Sequence, residues 1–138
     1  MDQLSRMLET HPRAAQATDD VAAVGRALKA LVACAHTCTS CADACLGEDG
    51  VAELTRCIRL NLDCADICEA TARVLSRRTD TDLDLVRGQL ESCAVACRAC
   101  AAECESHADH MEHCRICAES CRACAEACDA MIAAIVRA

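Results

Sequence analysis

Four cysteine runs with one shared spacing constrain this chain more than any other feature. Cys34, Cys38, Cys41 and Cys45 are separated by four, three and four positions, and Cys93, Cys97, Cys100 and Cys104 repeat the pattern. Cys117, Cys121, Cys124 and Cys128 repeat it again, preceded by Cys114. A fourth run, Cys57, Cys64 and Cys68, keeps the spacing with Asn61 in the remaining slot. Steps of three and four return to the same side of an α-helix. At about 100° per residue each run is held within roughly 60° of arc. The spacing therefore predicts four helices, each with a sulfur stripe facing a common axis.

The rest of the chain agrees with helices. Ala, Leu, Glu and Arg dominate, all strong helix formers, and only four Gly and one Pro interrupt them. No alternating β-branched run suggests a strand, so the fold class is all-α. The 138 residues contain no Pro/Ser/Gly-rich linker, which implies one domain over 1–138. Pro12 sets apart a short amphipathic helix within residues 1–12, with Leu4, Met7 and Leu8 on one face. A first long helix runs from about Asp19 to Cys45 and stops at Gly47-Glu48-Asp49-Gly50. The second ends near Arg77 and Arg78, whose charge suits a helix C-terminus. Thr79-Asp80-Thr81-Asp82 offers caps for the third, which reaches about Cys104, and Asp109 with Glu112 has capping-box spacing for the fourth. Short connections make neighbours antiparallel. The expectation is an antiparallel four-helix bundle with a short extra N-terminal helix.

Apolar residues continue the stripes. Val24, Ala27 and Leu31 precede the first cysteine run, and Leu75 follows the second. Leu83, Val86 and Leu90 precede the third, while Ile132 and Ile135 follow the fourth. Antiparallel packing then collects all the cysteines at one end and hydrocarbon at the other. Each sulfur stripe extends about 16 Å at ~1.5 Å per residue. The thiol end coincides with connections 46–53 and 105–113, and the second carries His107, His110, Met111 and His113. His107 would extend the third stripe and His110 the fourth. His36 falls on the opposite face from Cys34 and Cys38 and reads as surface. The Leu4, Met7 and Leu8 face reads as packing, against the hydrocarbon end or against another subunit.

Composition limits what such a tube can serve. A net charge of −8 with no basic patch argues against nucleic acid. No stretch reads as long and apolar enough to cross a bilayer. The opening residues, MDQLSRMLETHPR, lack an apolar h-region and a twin-Arg signal, so the expected location is cytoplasmic, with thiols kept reduced. Sixteen cysteines then need a purpose other than cross-linking.

Thiolates select Cu(I), zinc or iron–sulfur clusters. Sixteen buried thiolates would carry sixteen negative charges, and isolated charges in a core are very costly. About one Cu(I) per thiolate neutralises them, whereas four Zn²⁺ at four thiolates each leave about eight charges inside. A disulfide scaffold is disfavoured within one stripe, since Cβ atoms three or four apart lie about 5–6 Å from each other against the ~3.8 Å a disulfide prefers; cross-helix pairs remain open. The iron–sulfur run C-x2-C-x2-C-x3-C-P is missing. Cysteine as a small buried hydrophobe accounts for one or two such residues, not for a repeated stripe. A zinc-thiolate protein, a small-capacity copper chaperone or sensor and a thiol-redox buffer are the rivals. No His or carboxylate set with a vacant position suggests an enzyme. Asn61 is open between a weak oxygen ligand and a polar residue near the mouth. His107, His110, Met111 and His113 would form a transient copper relay there.

The repeated C-x3-C-x2-C-x3-C stripes, together with His110-Met111-Glu112-His113-Cys114-Arg115-x-Cys117-Ala118-Glu119-x-Cys121, resemble the bacterial cytosolic four-helix-bundle copper-storage proteins. The resemblance covers nearly everything after residue 19. It implies many Cu(I) ions per bundle held by the sixteen cysteines, with Asn61 and the mouth histidines as auxiliaries. It also implies homotetramers.

Overall fold

The computed structural model describes residues 2–14 and 20–137; the expected start at Asp19 lies outside the described residues. Its helices are α1 (Gln3–Glu9), α2 (Val21–Leu46), α3 (Thr55–Ser76), α4 (Leu83–Glu105) and α5 (Glu112–Arg137), with a 3₁₀ turn at Val51–Glu53 before α3. No strand occurs among the described residues.

Acidic caps start three of these helices. Asp2 accepts from the Ser5 N–H at 2.8 Å, Asp20 from Ala22 at 2.9 Å and Asp82 from Leu85 at 3.1 Å. Each satisfies one of the backbone donors that a helix start leaves without a partner. The end of α3 uses the basic pair differently from its neighbours: Arg77 leaves helical geometry, and the Arg78 guanidinium donates back to the Leu75 carbonyl at 3.4 Å. Asp80 then takes φ 55, a left-handed conformation that Asp tolerates better than most residues. The fourth cap differs from expectation. Glu112 is the first residue of α5 rather than its third, and the Met111 carbonyl accepts the Arg115 N–H at 3.3 Å, so Asp109 and Glu112 form no capping box.

The long helices close into a ring, α2 packing on α3 and α5, and α4 on the same two. Cross-helix sulfur pairs fix their direction. Cys57 meets Cys104, and Cys41 meets Cys114, at one level, while Cys68 meets Cys93 and Cys124 at another. Neighbours are therefore antiparallel, with all four sulfur stripes at one end. The other end holds Val24, Leu28, Leu31, Leu75, Leu90 and Met131, all buried. Each such side chain contributes about 1.5–3 kcal/mol by leaving water. Two expectations shift here. Met131, three positions after Cys128, takes the slot read as Ile132, which is only half-buried. Leu28 joins Ala27 in the core because i and i+1 can both border a broad stripe.

The N-terminal helix covers this hydrocarbon end through Leu8, which is buried against Gly25 of α2, and Leu4 packs on the same core. Met7 does not join them; it is 72% exposed. An Asp2–Lys29 ion pair at 2.8 Å and a 3.4 Å approach of His11 Nε2 to the Thr79 hydroxyl hold the segment to α2 and to the α3–α4 connection.

Helix α2 corrects one further expectation. Its length and composition are sufficient for a membrane span. Four of its apolar positions are the cysteines of the first run, and its inner face is buried against α3 and α5. The length and apolarity of α2 are those of a core helix of a bundle.

Candidate metal centre

All sixteen cysteines are buried and free. Helical spacing delivers them as a tube of sulfur, with separations between neighbours of 3.5 Å for Cys38–Cys121, 3.7 Å for Cys38–Cys117 and for Cys68–Cys97, and 3.8 Å for Cys34–Cys121 and Cys64–Cys97. A metal–sulfur bond of about 2.3 Å separates two sulfurs of one trigonal or tetrahedral ion by roughly 3.8–4.0 Å, and of a linear ion by about 4.6 Å. Small side-chain rotations therefore suffice for any of these geometries.

The donor sets overlap. Cys34, Cys68, Cys97 and Cys124 lie within 4.8 Å of one another, and so do Cys34, Cys38, Cys64 and Cys121. The next sets toward the open end are Cys38, Cys100, Cys117 and Cys121, then Cys41, Cys104 and Cys117. At the open end itself lie Cys41, Cys45, His113 and Cys114. Each shares at least one sulfur with the next. A row of separate tetrahedral zinc sites would need sulfurs of its own at every step, whereas bridging sulfurs suit a cluster of monovalent ions, whose charge also matches one thiolate each.

Asn61 lies deeper than a residue at the rim. It is fully buried, and its amide donates to the Cys57 carbonyl at 2.8 Å and reaches the sulfurs of Cys57 and Cys104 at 3.4 and 3.5 Å. Its oxygen accepts from Cys117 at 2.9 Å and from Cys100 at 3.3 Å. The side chain thus occupies its slot in the sulfur stripe with every polar atom satisfied.

The four mouth residues do not act as one group. His113 Nδ1 lies 3.4 Å from the Cys41 sulfur and 3.7 Å from Cys114, while its Nε2 faces Glu48 at 3.3 Å. His107 turns away from the sulfurs: α4 ends at Glu105, so His107 sits in the following turn and pairs with Glu103 at 2.9 Å. Glu103 is itself paired with Arg56 at 3.3 Å. His110 is exposed in the same turn and continues no stripe, because α5 starts two residues later. Met111 is half-buried against the core. His36 is exposed.

Burial raises two of the thiols near the mouth. Cys45 is pushed up to about 12 and Cys114 to about 11, first by loss of solvent and then by negative charge on Cys57. Beyond Cys68 on α3, the buried Thr71 hydroxyl donates to the Ile67 carbonyl at 2.7 Å and accepts from Gln89 at 2.9 Å. Glu48 and the Thr71–Gln89 pair were not among the residues singled out from sequence. Thr71 follows Cys68 by three and so continues the stripe, a signal that was available; nothing in the spacing marks Glu48.

The family model for copper storage proteins matches residues 20–133. This chain belongs to that family. Its fold is similar to a copper storage protein from Streptomyces lividans loaded with 10 copper equivalents, at 47% identity and a TM-score of 0.92, covering 96% of this chain and 99% of the other. A second family structure, the Cu(I)-bound copper storage protein BsCsp3, is 35% identical with a TM-score of 0.68, over 76% of this chain and 93% of its own. A cysteine-rich protein of Bacillus subtilis, YhjQ, described as uncharacterized, is 38% identical over 72 residues; the match spans 52% of this chain and 63% of that relative. Both of these solved members of the family hold copper.

Proposed function

We propose that this chain stores Cu(I), holding many ions per bundle between the thiolates of Cys34, Cys38, Cys41, Cys45, Cys57, Cys64, Cys68, Cys93, Cys97, Cys100, Cys104, Cys114, Cys117, Cys121, Cys124 and Cys128. The observation that carries this reading is the continuous overlap of donor sets from His113 at the open end to Cys124 at depth. A chaperone or sensor needs one set. A store needs a series that shares sulfurs, so that each added ion finds partners and each charge is neutralised.

Uptake is chemically simple. Cu(I) replaces the proton of a thiol, forming a copper–sulfur bond and releasing H⁺ to solvent. An ion then moves inward by exchanging one sulfur for the next, since adjoining sets share Cys41, Cys117, Cys38 or Cys34. His113 receives the ion first, with His107, His110 and Met111 as the outer approach and Asn61 as an auxiliary oxygen donor within the tube. No catalytic role is assigned to the chain. A copper-loading relative from Streptomyces lividans, 52% identical over 80% of this chain and 92% of its own, with a TM-score of 0.80, is described as cytosolic. The proposal extends that location to this chain, together with assembly as a homotetramer.

An anaerobic titration of the reduced protein with Cu(I) against a competing chelator tests the reading. A dozen or more equivalents bound per chain are expected, with about one ion per thiolate as the upper balance. Saturation after the first few ions would overturn it in favour of a chaperone or sensor. Light scattering of the same sample checks the tetramer.

A further inference from the structure

We propose that Glu48 is a positioning residue for copper uptake: its carboxylate fixes the tautomer of His113 so that Nδ1 presents a lone pair to the Cys41, Cys45 and Cys114 sulfurs. The inference rests on the storage reading above and adds a residue to it.

An ionised carboxylate only accepts hydrogen bonds. With Glu48 Oε1 at 3.3 Å, the Nε2 of His113 carries the proton. A neutral imidazole has one N–H, so Nδ1 is left bare. Nδ1 is the atom that faces sulfur, 3.4 Å from Cys41 and 3.7 Å from Cys114. In the metal-free protein it accepts from a thiol; with Cu(I) present the same lone pair is available as a ligand. Without Glu48 the outer nitrogen faces solvent, which serves either tautomer, and the Nδ1–H form would aim a proton at the ion's site. A carboxylate behind a metal-binding histidine is a recurrent way of fixing both ring orientation and tautomer.

The chain delivers Glu48 to this place through local structure. Its N–H donates to the Cys45 carbonyl at 3.2 Å, so the turn that ends α2 also carries the carboxylate. The end of the first sulfur stripe and the first turn of α5 are thereby set in register around one imidazole. The other mouth histidines differ. Glu103 also holds a histidine, His107, but Arg56 occupies Glu103 as well, and among the described residues no sulfur lies within hydrogen-bonding distance of His107. His113 has a carboxylate on one nitrogen and sulfur on the other.

The test starts without metal. In reduced, histidine-labelled protein, nitrogen–carbon NMR correlations read which nitrogen of His113 is protonated. Wild type and Glu48→Gln, whose amide oxygen still accepts, are expected to show Nε2–H, and Glu48→Ala a mixture with Nδ1–H. Binding of the first Cu(I) equivalents to Glu48→Ala is expected to weaken about 10–100-fold, with Glu48→Gln restoring most of the loss. Adding Glu48→Ala to His113→Ala should then change nothing further. An unaltered tautomer in Glu48→Ala, or a copper defect that persists in the His113→Ala background, would overturn the proposal. A wild-type chain that binds only a few ions would sink the storage reading instead, while the tautomer, read without metal, still decides this one.

Discussion

The Asn61 amide oxygen lies 2.9 Å from the Cys117 sulfur, across the tube from its own helix. The amide therefore joins α3 to α5 at the one stripe position that is not a thiol. Because it already sits where a sulfur would, Asn61→Cys should be accepted without rearrangement and add about one Cu(I) to the capacity of the chain. Asn61→Ala leaves the Cys100 and Cys117 thiols without their acceptor and opens a gap; it is expected to cost about 1–3 kcal/mol of metal-free stability. Urea unfolding under reducing conditions and copper titration measure the two effects separately. An Asn61→Cys protein with unchanged capacity would argue against sulfur being the limiting donor there.

Depth should set the order of loading. Cys34 takes part in donor sets far from the open end, and His113 in a set at it. Cys34→Ser is expected to lower the final number of ions by about one or two while leaving the first equivalents unaffected. A defect in the first equivalents would show that filling begins at the floor.

Acidity should act on uptake and on the empty fold in opposite senses. Each ion displaces a proton, so apparent affinity falls about tenfold per pH unit for every proton released. Cys45 and Cys114 hold their protons to about 12 and about 11, against 9.0 for an ordinary thiol. Above pH 9 the unfolded chain has lost these protons while the folded chain keeps them, so the unfolded state binds fewer. The metal-free protein should therefore keep this part of its stability below pH 9 and lose it as pH rises toward 11–12. Thermal unfolding followed by circular dichroism across that range checks the sign.

The hydrocarbon half should hold the fold whether or not copper is present. Leu90 and Leu31 are fully buried there. Leu90→Ala is expected to cost the metal-free protein about 2–5 kcal/mol. The loaded protein, tied across its helices by sulfur-bound ions, should unfold at a higher temperature and register the same substitution less. Loss of helical signal in reduced, metal-free wild type would contradict this division of labour.

Much of this architecture was legible because a helix converts spacing into direction. The four cysteine runs named the inner face of every long helix, and short connections then left one antiparallel arrangement. Positions where two neighbours compete for one slot were less legible. Met131 and Ile132 both follow Cys128 at helical spacing, and only the way α5 meets the others selects Met131. The mouth was read least well, because His107, Asp109 and His110 lie in a turn where helical spacing no longer tells direction. Glu48 was invisible for a related reason: its partner is 65 positions away and met only through the closing of two helix ends.

Sulfur at one end and hydrocarbon at the other also links cargo to lifetime. The pairs Cys38–Cys121 and Cys68–Cys97 cross between helices, so an ion held between them is also a staple between α2 and α5, or between α3 and α4. Ligands that bind the folded state more tightly than the unfolded chain make unfolding rarer, and the more so the further free ligand exceeds its dissociation constant. An empty bundle opens as an ordinary small helical protein does, and a full one must shed its metal before a protease can grip the chain. A cell that degrades whatever opens would in this way clear empty containers first and leave full ones standing.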